Sequence, residues 1–339
     1  MLTDRCDQAC SFCYSKYKPR TELSFEKIVS VLDQAADLGA VWLVVTGGDP
    51  YRRRDLHAIL QAAQERRFAV TLKTHGMHID QDEAQRLSDL GVQRVDLSVH
   101  NRDPLKHDAV TRVPGSHRRT IAALEALKNV GITVKSSLVV TSNNVEDIPE
   151  TLSMLVEKSA VNVGFSMGPS LTGSLDPQKQ QAKGEALIRA RMAVLNHGPH
   201  SGCVPESYPR PGDQDVPCQA GRGLAAILPD GNVTPCEVFP LILGNIHEES
   251  LASIWSGQAV QPLRESSYKD HKECSGCEAQ GYCKFCPGYS YSERGDWRKA
   301  SRSHCIPAYA LKEAVRRIRA EKTEGDKELS QPAAVSRSA

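Results

Sequence analysis

The distribution of cysteine is the feature that most limits what this chain can fold into. Eleven of its 339 residues are cysteine, and the segment 14–202 contains none of them. Clustered thiols in a chain without a secretory context indicate metal or catalytic sites before disulfides. The two groups therefore predict two metal-bearing regions joined by a metal-free scaffold. The front group is Cys6, Cys10 and Cys13; the back group is Cys203, Cys218, Cys236, Cys274, Cys277, Cys283, Cys286 and Cys305.

Charge and hydropathy exclude several classes of protein. The net charge of +1 argues against a broad basic face for nucleic acid and leaves room for a local basic patch. No apolar run approaches the length of a membrane span. The first residues, Met1 to Cys6, lack the apolar core of a signal peptide. We therefore expect a cytoplasmic protein with neither nucleic acid nor membrane as a partner.

The cysteine-free middle alternates between strand and helix patterns. Short apolar, β-branched runs are typical of buried parallel strands. Ser24 can cap a first helix that ends near Gly39. With a first strand leading into the front cysteines, the pattern predicts about six βα units, in an open doubly wound sheet or an incomplete barrel. Strands are predicted at 41–46, 68–73, 94–99, 133–140 and 161–166, and helices at 55–66, 81–90, 116–129 and 145–157.

The front cysteines have the spacing Cys-x3-Cys-x2-Cys. Thiolates are the usual ligands of a 4Fe–4S cluster. Because such a cluster has four irons, three cysteines leave one iron open for a substrate or cofactor. A zinc site with one ligand missing is the alternative that the spacing alone leaves open.

With Phe12 before its last cysteine and Tyr14 after it, this motif resembles the radical S-adenosylmethionine (SAM) superfamily. The resemblance implies a partial (β/α)6 TIM-like barrel. It also implies that the open iron binds the amino and carboxylate groups of SAM. Reductive cleavage of SAM then gives a 5′-deoxyadenosyl radical that abstracts hydrogen from substrate. A flavodoxin- or ferredoxin-type protein is the implied electron donor.

Two further segments resemble SAM contacts of this family. Gly47-Gly48-Asp49-Pro50 is similar to its Gly-Gly-Glu-Pro turn, which implies a contact to the methionyl amine. Ser98 matches the ribose-contacting serine, although the usual Asp-Gly is here His100-Asn101. His75 and His100 follow predicted strands. We expect solvated positions in loops for both, and the alternative is that they face the site at the strand ends of a barrel.

The back cysteines resemble the SPASM extension of the same superfamily, which implies two auxiliary 4Fe–4S clusters. The order Cys-x2-Cys-x5-Cys and the segment Gly244-Asn245-Ile246 carry the resemblance. A structural zinc module is the alternative. The implied ligands of the outer cluster are Cys274, Cys277, Cys283 and Cys305. The implied ligands of the inner cluster are Cys218, Cys236 and Cys286, with Cys203 as the fourth. If Cys203 is not a ligand, one iron of the inner cluster is open.

The resemblance implies an oxidative enzyme. Glu237, directly after Cys236, falls where sulfatase-maturing relatives place a general base; Asp213 and Asp215 have no better claim. The preferred hypothesis is a maturase that crosslinks a ribosomally made peptide, with a separate leader-peptide-binding protein as a further partner. Formylglycine formation and a cofactor-precursor pathway are alternatives, and a non-catalytic electron carrier is an alternative of another class.

The predicted organisation has three parts. Residues 1–195 form the radical SAM core, residues 196–310 the auxiliary-cluster domain, and residues 311–339 a C-terminal helix with a disordered tail. The basic C-terminal helix is predicted from Ala308 to about Lys322. Only five residues precede Cys6, so we expect either a late start or a truncated first strand.

Overall fold

A computed structural model describes most of the chain. The described residues are 1–13, 20–158, 164–166, 181–197 and 208–329. Tyr14 and Cys203, both singled out in the sequence, lie outside them.

Five parallel strands form the main sheet of the described residues. Each pairs with the next strand along the chain, so the order in space is the order in sequence. A doubly wound sheet reverses its order at a switch point, whereas this sheet winds in one direction, as the wall of a barrel does. The partial barrel is thereby confirmed. The strands are β1 (Trp42–Val45), β2 (Ala69–Thr74), β3 (Val92–Ser98), β4 (Thr133–Val139) and β5 (Gly164–Ser166).

The first segment of the chain lies beside the end of β1. The backbone N–H of Leu2 donates to the carbonyl of Thr46 at 2.7 Å, and Gly48 donates to Thr3 at 2.7 Å. Residues 1–5 are not a regular strand, but they occupy the place of the predicted first strand. This segment brings the front cysteines to the carboxyl ends of the strands.

Helices connect the strands, and several of them begin at a residue whose side chain caps the helix. Ser24 accepts a hydrogen bond from the Lys27 N–H at 3.2 Å, as the sequence predicts. The last helix begins at Arg302, earlier than the predicted Ala308. Pro307 lies inside this helix, although proline usually marks a helix boundary. The helices are α1 (Phe25–Asp37), α2 (Leu56–Glu65), α3 (Gln81–Asp89), α4 (Pro104–Thr111), α5 (Ser116–Asn129), α6 (Ile148–Glu157), α7 (Gly184–His197), α8 (Leu251–Ser256), α9 (Gln261–Glu265), α10 (Pro287–Arg294) and α11 (Arg302–Leu329).

The main core lies between the sheet and the helices on its outer face. Alternate strand residues such as Leu72, Val95 and Leu97 are fully buried there. The cluster also includes residues of the C-terminal part, among them Val233 and Ile246. Burial of this apolar surface holds the cysteine-rich part against the barrel.

The C-terminal part contains a small antiparallel sheet and several short helical turns. Its strands are β6 (Ala226–Ile227), β7 (Asn232–Thr234) and β8 (Gly244–Asn245). Gly231 turns between the first two with φ of +84°, a conformation that favours glycine. Over the described residues, no helix combines the length and the apolar character needed to cross a membrane.

Candidate active site

A cavity of about 300 Å³ opens at the carboxyl ends of the parallel strands. This end of a parallel barrel is where catalytic residues usually meet. Four regions distant in sequence contribute to it: the front cysteine loop, the strand ends, the segment after Cys236 and helix α10. The lining includes Cys6, Cys10, Phe12, Cys13, Thr46, Gly47, Gly48, Lys73, Thr74, His75, Asp96, Ser98, His100, Ser137, Val139, Glu237 and Tyr289.

The two glycines of the Gly-Gly-Asp-Pro turn hold the cysteine loop close to the sheet. The Gly48 N–H donates to the Thr3 carbonyl, and the Asp49 N–H donates to the Arg5 carbonyl at 2.8 Å. A Cβ on Gly47 would lie 2.5 Å from the Thr3 oxygen, and one on Gly48 would lie 2.6 Å from the Asp4 oxygen. Both glycines are therefore required for the approach of the cysteine loop, and both line the cavity.

Unlike the two glycines, Asp49 and Pro50 do not line the cavity. The Asp49 side chain is completely buried. Its Oδ2 accepts hydrogen bonds from Thr74 Oγ1 at 2.7 Å and from the His75 N–H at 3.0 Å, and its Oδ1 accepts from the Tyr51 N–H. This carboxylate joins the turn to the end of β2. Its predicted contact with the methionyl amine stays a prediction.

A second carboxylate network fixes the first cysteine. Asp7 Oδ1 lies 2.6 Å from His75 Nε2, and Asp7 Oδ2 lies 2.7 Å from His78 Nε2. Burial lowers the pKa of His75, but hydrogen bonds with Asp7 and Cys6 outweigh it and raise that pKa to about 10. The hydrogen bond with His75 holds the pKa of Asp7 well below its usual range. An imidazolium between carboxylates thus ties the residue after Cys6 to β2.

His75 and His100 were expected in solvent, and that expectation is wrong. They are 5% and 3% exposed, and both line the cavity. The His100 ring meets Phe12 edge-on, with centroids 4.9 Å apart, and stacks on His107 at 5.5 Å. Burial lowers the pKa of His100 to about 3 and that of His107 to about 4, so both rings are neutral near pH 7.

The front cysteines fit a 4Fe–4S cluster with an open iron. Cys6, Cys10 and Cys13 are half-buried and line one cavity, with no other cysteine of the described residues among its lining. A set of three thiols is the donor chemistry that such a cluster uses. These residues would hold the cluster, and the cavity beside them has room for a small-molecule ligand.

The outer set of back cysteines also meets at one place. Cys274, Cys277, Cys283 and Cys305 line a common small cavity. Burial raises the pKa of Cys274 to about 11 and that of Cys283 to about 12, and the neighbouring thiolates of the set add to both shifts. Four half-buried thiols that repel one another as anions fit a site where iron supplies the compensating positive charge.

The inner set is built from cysteines further apart in sequence. Burial raises the pKa of Cys236 to about 12, and the nearby Cys286 and Cys218 contribute to the rise. Cys218 and Cys236 pack beside Phe239, which is 1% exposed. The structure thus brings Cys218, Cys236 and Cys286 together, as the resemblance implies. Ligation by Cys203 stays a prediction.

Glu237 lies in the cavity and has a cationic partner. Its Oε1 is 2.9 Å from Lys73 Nζ, and both side chains are about one-third exposed. Neither Asp213 nor Asp215 lines the cavity. Of the three acidic residues considered from the sequence, Glu237 is therefore the one that lines the cavity, and its role as a general base stays a prediction.

Asp96, Lys73 and Tyr289 are among the lining residues that had no role assigned from the sequence. Asp96 is 5% exposed beside Ser98 on β3, Lys73 is at the end of β2, and Tyr289 comes from α10. Strand alternation could have indicated Asp96, because it lies two residues before Ser98 on the same face. The Lys73–Glu237 pair spans 164 residues of chain and leaves no local signal.

Comparisons with known proteins agree with this geometry. Residues 1–155 match the Radical SAM superfamily, and residues 218–278 match the SPASM iron–sulfur cluster-binding domain. Together the two matches cover more than half of the chain.

Two named relatives are similar over most of their length. An AdoMet-dependent heme synthase of Methanosarcina barkeri is 24% identical over 90% of this chain and 94% of its own. A PqqA peptide cyclase of Xanthomonas axonopodis pv. citri is 28% identical over 81% of this chain and 78% of its own.

Solved structures share the fold. The structure of anSMEcpe with AdoMet and the Kp18Cys peptide superposes with a TM-score of 0.72, at 18% identity, over 96% of this chain and 97% of that one. Streptococcus suis SuiB bound to S-adenosylmethionine gives a TM-score of 0.69, at 19% identity, over 90% and 76%. The chain therefore belongs to the radical SAM superfamily, as an enzyme that uses S-adenosylmethionine and 4Fe–4S clusters, with a SPASM domain in its C-terminal part.

Proposed function

We propose that this enzyme oxidatively modifies a ribosomally made peptide, forming a crosslink or thioether within it. The observation that carries the proposal is the position of Glu237. It follows Cys236, a residue of the inner cysteine set, and it lines the same cavity as the front cysteines. A proton acceptor beside an electron acceptor is what a net oxidation of substrate requires.

The cofactors and the side chains divide the work. When bound, the front cluster with S-adenosylmethionine supplies a radical that takes a hydrogen atom from substrate, and the auxiliary clusters supply an acceptor for the remaining electron. Glu237 accepts the proton that the oxidised substrate releases. Lys73 holds that carboxylate in place through an ion pair. Ser98 and the Gly47–Gly48 backbone provide polar contacts for the bound cofactor.

Peptide as the substrate class is supported by the relatives. PqqA peptide cyclase is named for a peptide substrate, and it is similar to this chain over 81% of the sequence. The solved relatives include SuiB bound to the precursor peptide SuiA. We include in the proposal a flavodoxin- or ferredoxin-type electron donor, a separate leader-peptide-binding protein and a cytoplasmic location.

A second candidate is the oxidation of a tetrapyrrole in a cofactor-precursor pathway. It is favoured by the heme synthase of M. barkeri, which this chain matches over 94% of that protein's length. The same proton acceptor and cysteine sets would serve this reaction. Formylglycine formation is a further alternative for the peptide reaction, and its product identifies it.

The test uses reconstituted holoenzyme with S-adenosylmethionine and dithionite. One arm contains peptides encoded beside the gene, a second a sulfatase peptide, and a third an iron-bound tetrapyrrole with propionate groups. We expect 5′-deoxyadenosine in every arm and a product lighter by two hydrogen atoms with the peptide. A product only with the tetrapyrrole would favour the second candidate. Absence of 5′-deoxyadenosine after full reconstitution would contradict radical chemistry itself. Cys13→Ala is the control for background cleavage.

A further inference from the structure

The wall of the barrel lumen carries charge where many barrels carry apolar side chains. Val95 and Leu97 of β3 are fully buried in the core between sheet and helices. Because successive side chains of a strand point to opposite faces, Arg94, Asp96 and Ser98 face the lumen. Asp96 and Ser98 line the cavity.

Strand register extends this charge into a row across three strands. Lys73 of β2 is the Cα partner of Asp96, and Asp96 is the Cα partner of Lys135 on β4. Arg94, one layer below, places its Nε 3.1 Å from Asp96 Oδ1. Lys73, Arg94, Asp96 and Lys135 are here called the lumen row.

Within the lumen row, Lys135 differs from the other cations. Lys73 is paired with Glu237, and Arg94 with Asp96. Lys135 is half-buried, and across the described parts of the chain it has no ion-pair partner. A partly desolvated ammonium is stabilised by an anion that approaches it.

Lys135 is also within reach of the cavity. Ser137, two residues further along β4, lines it. Residues two apart on one face of a strand are separated by about 7 Å, a span that an extended lysine side chain covers. Counted with Glu237, the lumen row has three cations and two carboxylates, so one positive charge is not balanced.

We propose that Lys135 and Lys73 bind a carboxylate of the substrate, and hence that the substrate carries an acidic side chain or a free carboxyl group beside the reacting carbon. The inference rests on the proposed function, because it takes the cavity as the substrate site. The hydroxyl of Ser137 borders the same space and can donate to the carboxylate. S-Adenosylmethionine also carries a carboxylate, and the test separates the two sources.

The test measures binding without turnover, so its failure is distinct from failure of radical chemistry. Holoenzyme saturated with S-adenosylmethionine is treated with a lysine-acylating reagent, and the rate at each lysine is read by peptide mass spectrometry. Glutarate is the probe, and its uncharged diamide is the matched control. We expect glutarate to slow acylation of Lys135 and Lys73 severalfold, with exposed Lys183 unchanged. Equal protection by the diamide, or no protection by glutarate, would overturn the proposal.

Variants then assign the carboxylate to substrate or cofactor. Lys135→Gln should weaken glutarate binding by roughly tenfold, as expected for one charge-assisted hydrogen bond. Lys135→Arg should restore most of it, and Lys183→Gln should change nothing. The Kd for S-adenosylmethionine should stay the same in all three variants. A weaker Kd for S-adenosylmethionine in Lys135→Gln, with glutarate binding intact, would assign Lys135 to the cofactor and refute the proposal.

Discussion

Lys73 Nζ lies 2.9 Å from Glu237 Oε1, although the two residues are 164 positions apart in the chain. The pair joins the end of a barrel strand to the residue after Cys236. It thereby places one carboxylate between the front cysteines and the inner cysteine set. Its position gives the first prediction.

Replacing Glu237 by Gln should abolish substrate modification while leaving cleavage of S-adenosylmethionine. Loss of a general base lowers rates by roughly 10²–10⁴-fold. Formation of 5′-deoxyadenosine does not need this base, so it should continue in the variant. Product and 5′-deoxyadenosine are quantified together by mass spectrometry. Asp213→Asn, outside the cavity, is the matched control; an equal loss there, or unchanged product with Glu237→Gln, would exclude the proposed role.

Substitution of Gly48 by Ala should displace the cysteine loop. The new Cβ would lie 2.6 Å from the Asp4 carbonyl oxygen and also against the Arg5 carbonyl, and backbone atoms cannot move aside singly. We expect loss of the front cluster, seen as a lower iron content and a missing electron paramagnetic resonance signal after S-adenosylmethionine is added. Gly276→Ala, where a Cβ meets nothing within 4 Å, should retain full iron. Normal iron in Gly48→Ala would show that the loop tolerates the shift.

Removing cysteines should subtract iron in separate steps. Cys283→Ala with Cys305→Ala should lower the iron content by about four atoms per chain, the content of one cluster. Cys236→Ala with Cys286→Ala should remove a second set of about four. Both double variants should still form 5′-deoxyadenosine, because the front loop is unchanged. Zinc in place of iron in the purified, anaerobically handled protein would contradict the assignment.

Acid should destabilise the fold through His107. Its folded-state pKa of about 4 lies below the ordinary value of 6.5, because burial disfavours the charged ring. The unfolded chain therefore binds more protons between these values. The unfolding free energy should fall as pH drops through that window, by up to about 1.4 kcal/mol per pH unit for one group. The stability contribution is complete above about pH 6.5.

The matched variant is His107→Asn, whose side-chain oxygen can accept the hydrogen bond that His107 Nδ1 accepts from the His100 N–H at 3.2 Å. Urea unfolding between about pH 5 and pH 7 should show a shallower pH dependence in the variant than in the parent protein. His100 retains its own lowered pKa, so some dependence should persist. Identical slopes would show that His107 does not control acid stability.

Much of the barrel was predictable from local sequence. Apolar runs gave β1 to within a residue at each end, and Ser24 marked the start of α1. Helix α4 was missed because its buried face includes His107 and Thr111, which give no apolar stripe. Proline inside α11 similarly concealed the true start of that helix.

The candidate site was only partly predictable. The motifs singled out Cys6, Cys10, Cys13 and Ser98, and all four line one cavity in the structure. It could not show that Asp49 bonds inward to Thr74 and His75, because those contacts form only when β2 lies beside the turn. The local sequence pattern predicts strands and loops well. It carries no information on which distant side chain completes a buried hydrogen-bond network.

The absence of cysteine from residues 14–202 has a consequence for engineering and for divergence within such enzymes. The five parallel strands β1 to β5 all come from that stretch, while every cysteine lies outside it. On the substrate site proposed above, substitutions at Lys135 or Ser137 would change substrate choice without removing any cysteine. A library of variants with substitutions confined to those strands could be screened against new substrates while all the cysteines stay unchanged.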